Sequence, residues 1–190
     1  MSFGYSDHQA CIANAIRDAV SASNESVLFF AAAANFGANE AEMFPARHRC
    51  VISIRGTNST GRFEDFNPPP GSNEARVLGT LGLDVPSACL SHQPGIDVCM
   101  KGTSVATAVA AGMAGMLLEY VRGQSSLRST YRMVRDRLKR QEGMLALLES
   151  LSVPSLGQEC CHYLAPWSLE NKAADTRWSF FERAAAAVAP

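Results

Sequence analysis

The chain has 190 residues and a mass of 20.4 kDa, enough for one domain and short of two full ones. With 47% apolar and 18% charged residues it is neither disordered nor fibrous. Seventeen basic against eighteen acidic side chains give a net charge of −1, which excludes a general nucleic-acid binder, whose phosphate contacts need a clustered positive surplus.

In chain order, Met1 to Tyr5 reads as a short strand-like start. His8 to Ser23 places Ile12, Ala15, Ile16, Ala19 and Val20 at helical spacing, which predicts a one-sided amphipathic helix. Val27 to Ala33 (VLFFAAA) and Cys50 to Ile54 (CVISI) are continuous apolar runs without alternation, the pattern of strands buried on both faces of a parallel sheet. Nine of fourteen glycines fall between Gly56 and Gly115, and six of nine prolines between Pro45 and Pro94, so the middle is expected to be loop-rich with short strands. Gly102-Thr103-Ser104 opens a long apolar helix reaching Tyr120. Its apolar core, Val105 to Leu118, falls short of the ~20 residues a bilayer needs and reads as a buried helix, so no membrane partner is expected. The rest is expected to be mostly helical, with a basic helix over residues 122–142 whose charges form a solvated face. The order of strands and helices predicts an α/β fold with a parallel sheet flanked by helices.

The N-terminal residues MSFGYSDHQ carry neither a basic n-region nor an apolar h-region. Six cysteines (Cys11, Cys50, Cys89, Cys99, Cys160, Cys161) show no CxxC pair and no companion histidines at zinc-ligand spacing. Both features predict an intracellular chain with mostly buried, reduced thiols, and neither a metal nor another cofactor.

Two segments carry chemistry together. Ala31-Ala32-Ala33-Ala34-Asn35-Phe36-Gly37 ends the first buried strand, and ligands of open α/β sheets collect at the carboxyl ends of strands. Gly102-Thr103-Ser104-Val105-Ala106-Thr107 places Ser104 at a helix N-terminus, where free N–H groups favour a developing negative charge. An asparagine amide and a helix-terminal N–H converging on one point make an oxyanion hole beside a serine nucleophile. Taken singly, Ser or Thr before an apolar helix is a good N-cap, and Asn-x-Gly after a strand is a turn.

With these motifs the chain resembles the subtilisin-like serine peptidases, the subtilases. GTSVAT followed by Ala111-Gly112 matches the family's Gly-Thr-Ser-x-Ala-Thr-Pro motif, AAAANFG its Ala-Ala-Ala-Gly-Asn-x-Gly segment, and Met1-Ser2-Phe3-Gly4 its Met-Ser-Leu-Gly strand. Phe44-Pro45-Ala46 and Val51-Ile52-Ser53 look like its Phe-Pro-Ala…Val-Ile-x-Val connection. The resemblance implies residues 1–121 as the C-terminal part of a subtilisin-like peptidase domain with a partial parallel sheet, followed by a helical extension over 122–190. It implies Ser104 as nucleophile, Asn35 as the oxyanion-hole side chain, and Ser2, Phe3, Gly4, Ala32, Ala33 and Ala34 flanking a peptide or protein substrate by strand addition. Ala108 stands where the family has proline, and Ala34 replaces the glycine before the asparagine.

None of the four histidines (His8, His48, His92, His162) stands in the family's His-Gly-Thr-x-Val-Ala setting, and no aspartate stands in its Asp-x-Gly setting. The expectation is a truncated serine endopeptidase domain with at most trace activity, because a serine hydroxyl without a base is a poor nucleophile. An upstream segment or a second chain would have to supply Asp and His; His92, in a loop before the nucleophile, is the least remote internal base. The alternative is an inactive peptide-binding or interaction module.

Overall fold

Two apolar runs without alternation form the edge strand and its neighbour in a five-stranded sheet in this computed structural model, which describes residues 1–71, 76–88, 98–125, 127–170 and 172–188. Helix α1 (Ala10–Ala22) buries Ala13 and Ile16, and with Ile12 packs against Ala31, Ala46 and Val51. Strand β1 (Phe29–Ala32) pairs in parallel with β2 (Val51–Thr57), Phe29 opposite Val51 and Ala32 opposite Ile54. β3 (Val77–Leu81) extends the sheet in parallel, Gly79 opposite Arg55. A separate two-stranded sheet pairs β4 (Val85–Ser87) with β5 (Val98–Met100). The expected start at Met1–Tyr5 is not a full strand. The Met1 carbonyl accepts the Ala32 N–H, and Tyr5 forms an isolated bridge to Phe44.

Helix α2 (Thr103–Gly123) lays Ala106, Ala110, Ala114, Leu117 and Val121 on the sheet, where they join Phe30, Ile52, Ile54 and Leu78 in the main core. Alanines at three of these positions bring the helix backbone close to the strands. By length and composition alone α2 is long and apolar enough to cross a membrane, which corrects the expectation that its apolar stretch falls short. Its outward face, with Ala108, Ala111, Gly112, Gly115 and Met116, is exposed.

Residues 122–142 do not form one basic helix. Residues 124–130 separate α2 from α3 (Tyr131–Leu138), and extended backbone at Arg140 separates α3 from α4 (Gln141–Ser150). Arg122, Arg128, Arg135 and Arg140 pair with Glu119, Asp175, Asp136 and Glu25, and Arg137 donates to the Ala185 carbonyl. The C-terminal part also contributes β6 (Ser152–Ser155) and β7 (Gln158–Leu164), followed by α5 (Ala174–Ala186). β7 pairs with β3 in parallel, Val77 opposite Cys161, so the sheet order is β1-β2-β3-β7-β6, with β6 antiparallel at the far edge. Trp178 and Phe181 of α5 lie in the same core as α2, and Tyr120 stacks on Phe181 with centroids 5.1 Å apart.

Candidate active site

The carboxyl end of β1 delivers Asn35, and the N-terminus of α2 delivers Ser104. Gly102, at φ +128°, is the N-cap and ties the helix start to the sheet by donating its N–H to the Gly82 carbonyl at 2.8 Å. A Cβ on Gly102 would lie 3.1 Å from both Nδ2 and Oδ1 of Asn35, so only glycine suits both the backbone angle and the space. Thr103, fully buried, donates to Asn35 Oδ1 from its N–H at 2.8 Å and from its hydroxyl at 3.0 Å. A backbone donor on that atom fixes it as oxygen and sets the orientation of the amide. Asn35 Nδ2 then has no hydrogen-bond partner among the described residues. The Ser104 N–H, in the first turn of α2, belongs to the donors that a helix leaves unpaired.

Around these two groups lies an open cleft of about 210 Å³. Ser2, Phe3, Gly4, Ala32, Ala34, Asn35 and Ser104 line it, and the Ser2 hydroxyl donates to the Ser104 carbonyl at 3.3 Å. Ala33 does not line it. Its side chain is fully buried while its backbone donates to Ile54 and accepts from Met43. Thr103, Phe36 and Met43 complete the wall and were not singled out from sequence. Thr103 was signalled by its place before Ser104. Met43 carried no signal, because the returning chain that bridges Phe44 to Tyr5 brings it there.

No histidine or carboxylate among the described residues lines the cleft. His8 and His48 pack edge-on against Phe44, with centroids 5.0 and 6.1 Å away, and His162 faces the Ser152 hydroxyl at 3.3 Å. His92 and Cys89 lie outside the described residues. His48 accepts the Cys50 N–H on Nδ1 at 3.2 Å, and desolvation together with Arg17, Arg49 and His8 lowers its pKa, both favouring the neutral ring. The expected burial of the thiols is met by Cys161, while Cys11 and Cys99 are exposed. No cluster of three or more His, Cys, Asp or Glu fit to hold a metal occurs among the described residues.

Comparison with known proteins fits this arrangement. The family model described as the Subtilase family matches residues 1–151. The chain belongs to the subtilase family. No curated protein matches it. Among solved structures, this subtilase is similar to a mutant of the protease domain of PatA (TM-score 0.62, 22% identity, covering 96% of this chain and 58% of that one). It is also similar to the PatG macrocyclase in complex with peptide (TM-score 0.60, 21% identity, 89% and 49%) and to the prenylagaramide maturation protease PagA (0.58, 20%, 81% and 49%). These likenesses are of fold, a mostly parallel sheet flanked by helices, and the chain spans about half the length of the structures it matches.

Proposed function

We propose that this chain is the nucleophile-bearing part of a serine endopeptidase, with Ser104 as nucleophile. The observation that carries the reading is the lock on Asn35. Two donors from Thr103 hold Oδ1, which leaves Nδ2 to share an oxyanion with the Ser104 N–H. Ser104 Oγ adds to the peptide carbonyl, and the two donors stabilise the oxygen as it gains charge. The C–N bond breaks, the amine leaves with a proton, and water releases the acyl group. Donors set in advance are worth most here, because no reorganisation is needed when charge appears. Ser2–Gly4 and Ala32–Ala34 flank an extended peptide, and the PatG structure, which holds a peptide, supports that class of substrate. The described cleft wall carries no charged side chain, and Met43 forms part of it.

The general base and its acid belong to a further polypeptide segment, upstream on the same chain or on a second chain. The exposed face of α2 and the half-length match to neighbouring structures support this completion. Residues 1–190 alone are expected to react with a fluorophosphonate only slowly, and Ser104→Ala abolishes the label. Asn35→Ala lowers the rate by about 10²–10³-fold where the base is present. Robust peptide turnover by residues 1–190 alone would overturn the missing-base reading.

A specific observation favours a second reading: among the described residues the Ser104 hydroxyl has no hydrogen-bond partner and its cleft is lined by no base. On that reading the cleft holds an extended peptide without cleaving it. Absence of label on a folded chain that still binds peptide would decide for it.

A further inference from the structure

Beside the cleft lies a second cavity, of about 500 Å³. The segment Phe36-Gly37-Ala38 parts the two: Phe36 lines the cleft and Ala38 the cavity. Between them, the Gly37 N–H donates to the Phe66 carbonyl at 3.0 Å. That carbonyl belongs to the loop of residues 63–70, which Asn67 fastens to β2. Asn67 Oδ1 accepts the Gly56 N–H and Nδ2 donates to the Gly56 carbonyl, both at 2.7 Å. A Cβ on Gly56 would lie 2.7 Å from the Phe66 ring and 3.6 Å from Gly102, so the loop is held against the start of α2.

Phe63 and Pro68, both buried, give the cavity an apolar floor that Pro69 and Pro70 continue. Glu64, half-buried, and Asp65, exposed, stand on its wall. Arg55 also lines it, but its charge is met by Glu42 at 3.5 Å, and its guanidinium donates to the Pro68 and Pro69 carbonyls. Neither the Glu64 nor the Asp65 carboxylate has an ion-pair or hydrogen-bond partner among the described residues. The described wall therefore carries two uncompensated negative charges over apolar surface. Two carboxylates are too few for calcium, which takes about 6–8 oxygen ligands, and they disfavour an anion or a wholly apolar group. A cation on a long aliphatic stem matches both surfaces. Lysine and arginine bind in this way, the stem on apolar surface and the head at its edge.

We propose, on the reading of Ser104 and Asn35 as the point of peptide attack, that the cavity is a specificity subsite for a basic side chain of the same peptide. Glu64 and Asp65 are its charge partners. A peptide flanked by Ala32–Ala34, with its scissile carbonyl at Asn35 and Ser104, continues over Phe36, which is 53% exposed, and reaches the cavity past Ala38. The basic residue then lies on the side of the scissile bond away from Ala32–Ala34, within a few residues of it. Both carboxylates stand outside the catalytic cleft, so they select the peptide without touching the reacting atoms.

The test is fluorescence anisotropy with the Ser104→Ala chain, which binds without cleaving. The probes are short alanine–serine peptides with one leucine fixed and one arginine stepped along the sequence. Each is paired with its citrulline counterpart, which keeps the shape and loses the charge. At one spacing the arginine peptide is expected to bind about fivefold more tightly, the upper range for a partly exposed ion pair, and added salt erases the difference. Glu64→Gln combined with Asp65→Asn removes the difference and leaves the affinity for the citrulline peptide unchanged. Equal affinity at every spacing, a preference that survives in the double variant, or no peptide binding at all would overturn the subsite. Fluorophosphonate labelling of Ser104 in the parent chain is read separately. A label without an arginine preference overturns the subsite and keeps the peptidase reading, and a preference without a label does the reverse.

Discussion

Gly102 and Gly112 stand ten residues apart on the same helix and answer to different physics. At Gly102 an alanine meets both a left-handed backbone angle and the Asn35 amide. Gly102→Ala is expected to cost about 1–3 kcal/mol and to slow Ser104 labelling by displacing Asn35. At Gly112 a Cβ meets nothing within 4 Å, so Gly112→Ala should stabilise the helix by about 0.5–1 kcal/mol. Denaturant unfolding of the two variants checks both signs. His48 gives a pH prediction. Its folded-state pKa lies below the ordinary value of 6.5, so the folded chain binds a proton less readily than the unfolded one. Its contribution is fully present above pH 6.5 and is lost as pH falls through that value towards the folded pKa. His48→Gln should flatten the acid limb of a melting-temperature profile over that window. Much of the site was legible at this scale, because Asn35, Thr103 and Ser104 carry their chemistry in contiguous motifs. The inward turn of Ala33 was not, since it depends on the backbone bonds to Ile54 and Met43 rather than on residue type.

Among the elements, α1, β1, β2 and α2 were legible because burial on one face or on both writes a periodicity. β6 and β7 were not. They hold Ser152, Ser155, Gln158 and Glu159 beside cysteines, a half-exposed pattern without alternation, interrupted by a bulge. The corner between α3 and α4 was also hidden. It depends on Gly143, where a Cβ would collide with the Arg137 carbonyl, a close approach that no local pattern announces. The packing of α5 against α2 gives the sharpest test at this scale. Phe181, 1% exposed, stacks on both Tyr120 and Trp178. Phe181→Ala is expected to cost about 3–5 kcal/mol and to lower the stability of the whole chain in a single transition. A separate early transition confined to residues 122–190 would instead mark them as an independent unit.

For the molecule as a whole, a net charge of −1 leaves little electrostatic repulsion between copies, while Met116 on α2 is 66% exposed beside small apolar residues. Met116→Glu, which removes the apolar side chain and raises the net negative charge, should therefore reduce self-association in sedimentation measurements without lowering the melting temperature. The parallel pairing of Val77 with Cys161 has a consequence for the order of events during synthesis. α2 can coil as soon as its own residues leave the ribosome, because its hydrogen bonds are local. One side of β3 must wait for β7, which is made only after α2, α3 and α4. Until then the nascent sheet presents an open edge, a template for pairing with the wrong chain. A chain stopped after Gly157 should accumulate as aggregate, whereas adding residues 158–188 back to the same transcript should return it to the supernatant. Slow translation would lengthen the exposure, so the yield of folded chain depends on how quickly β7 arrives.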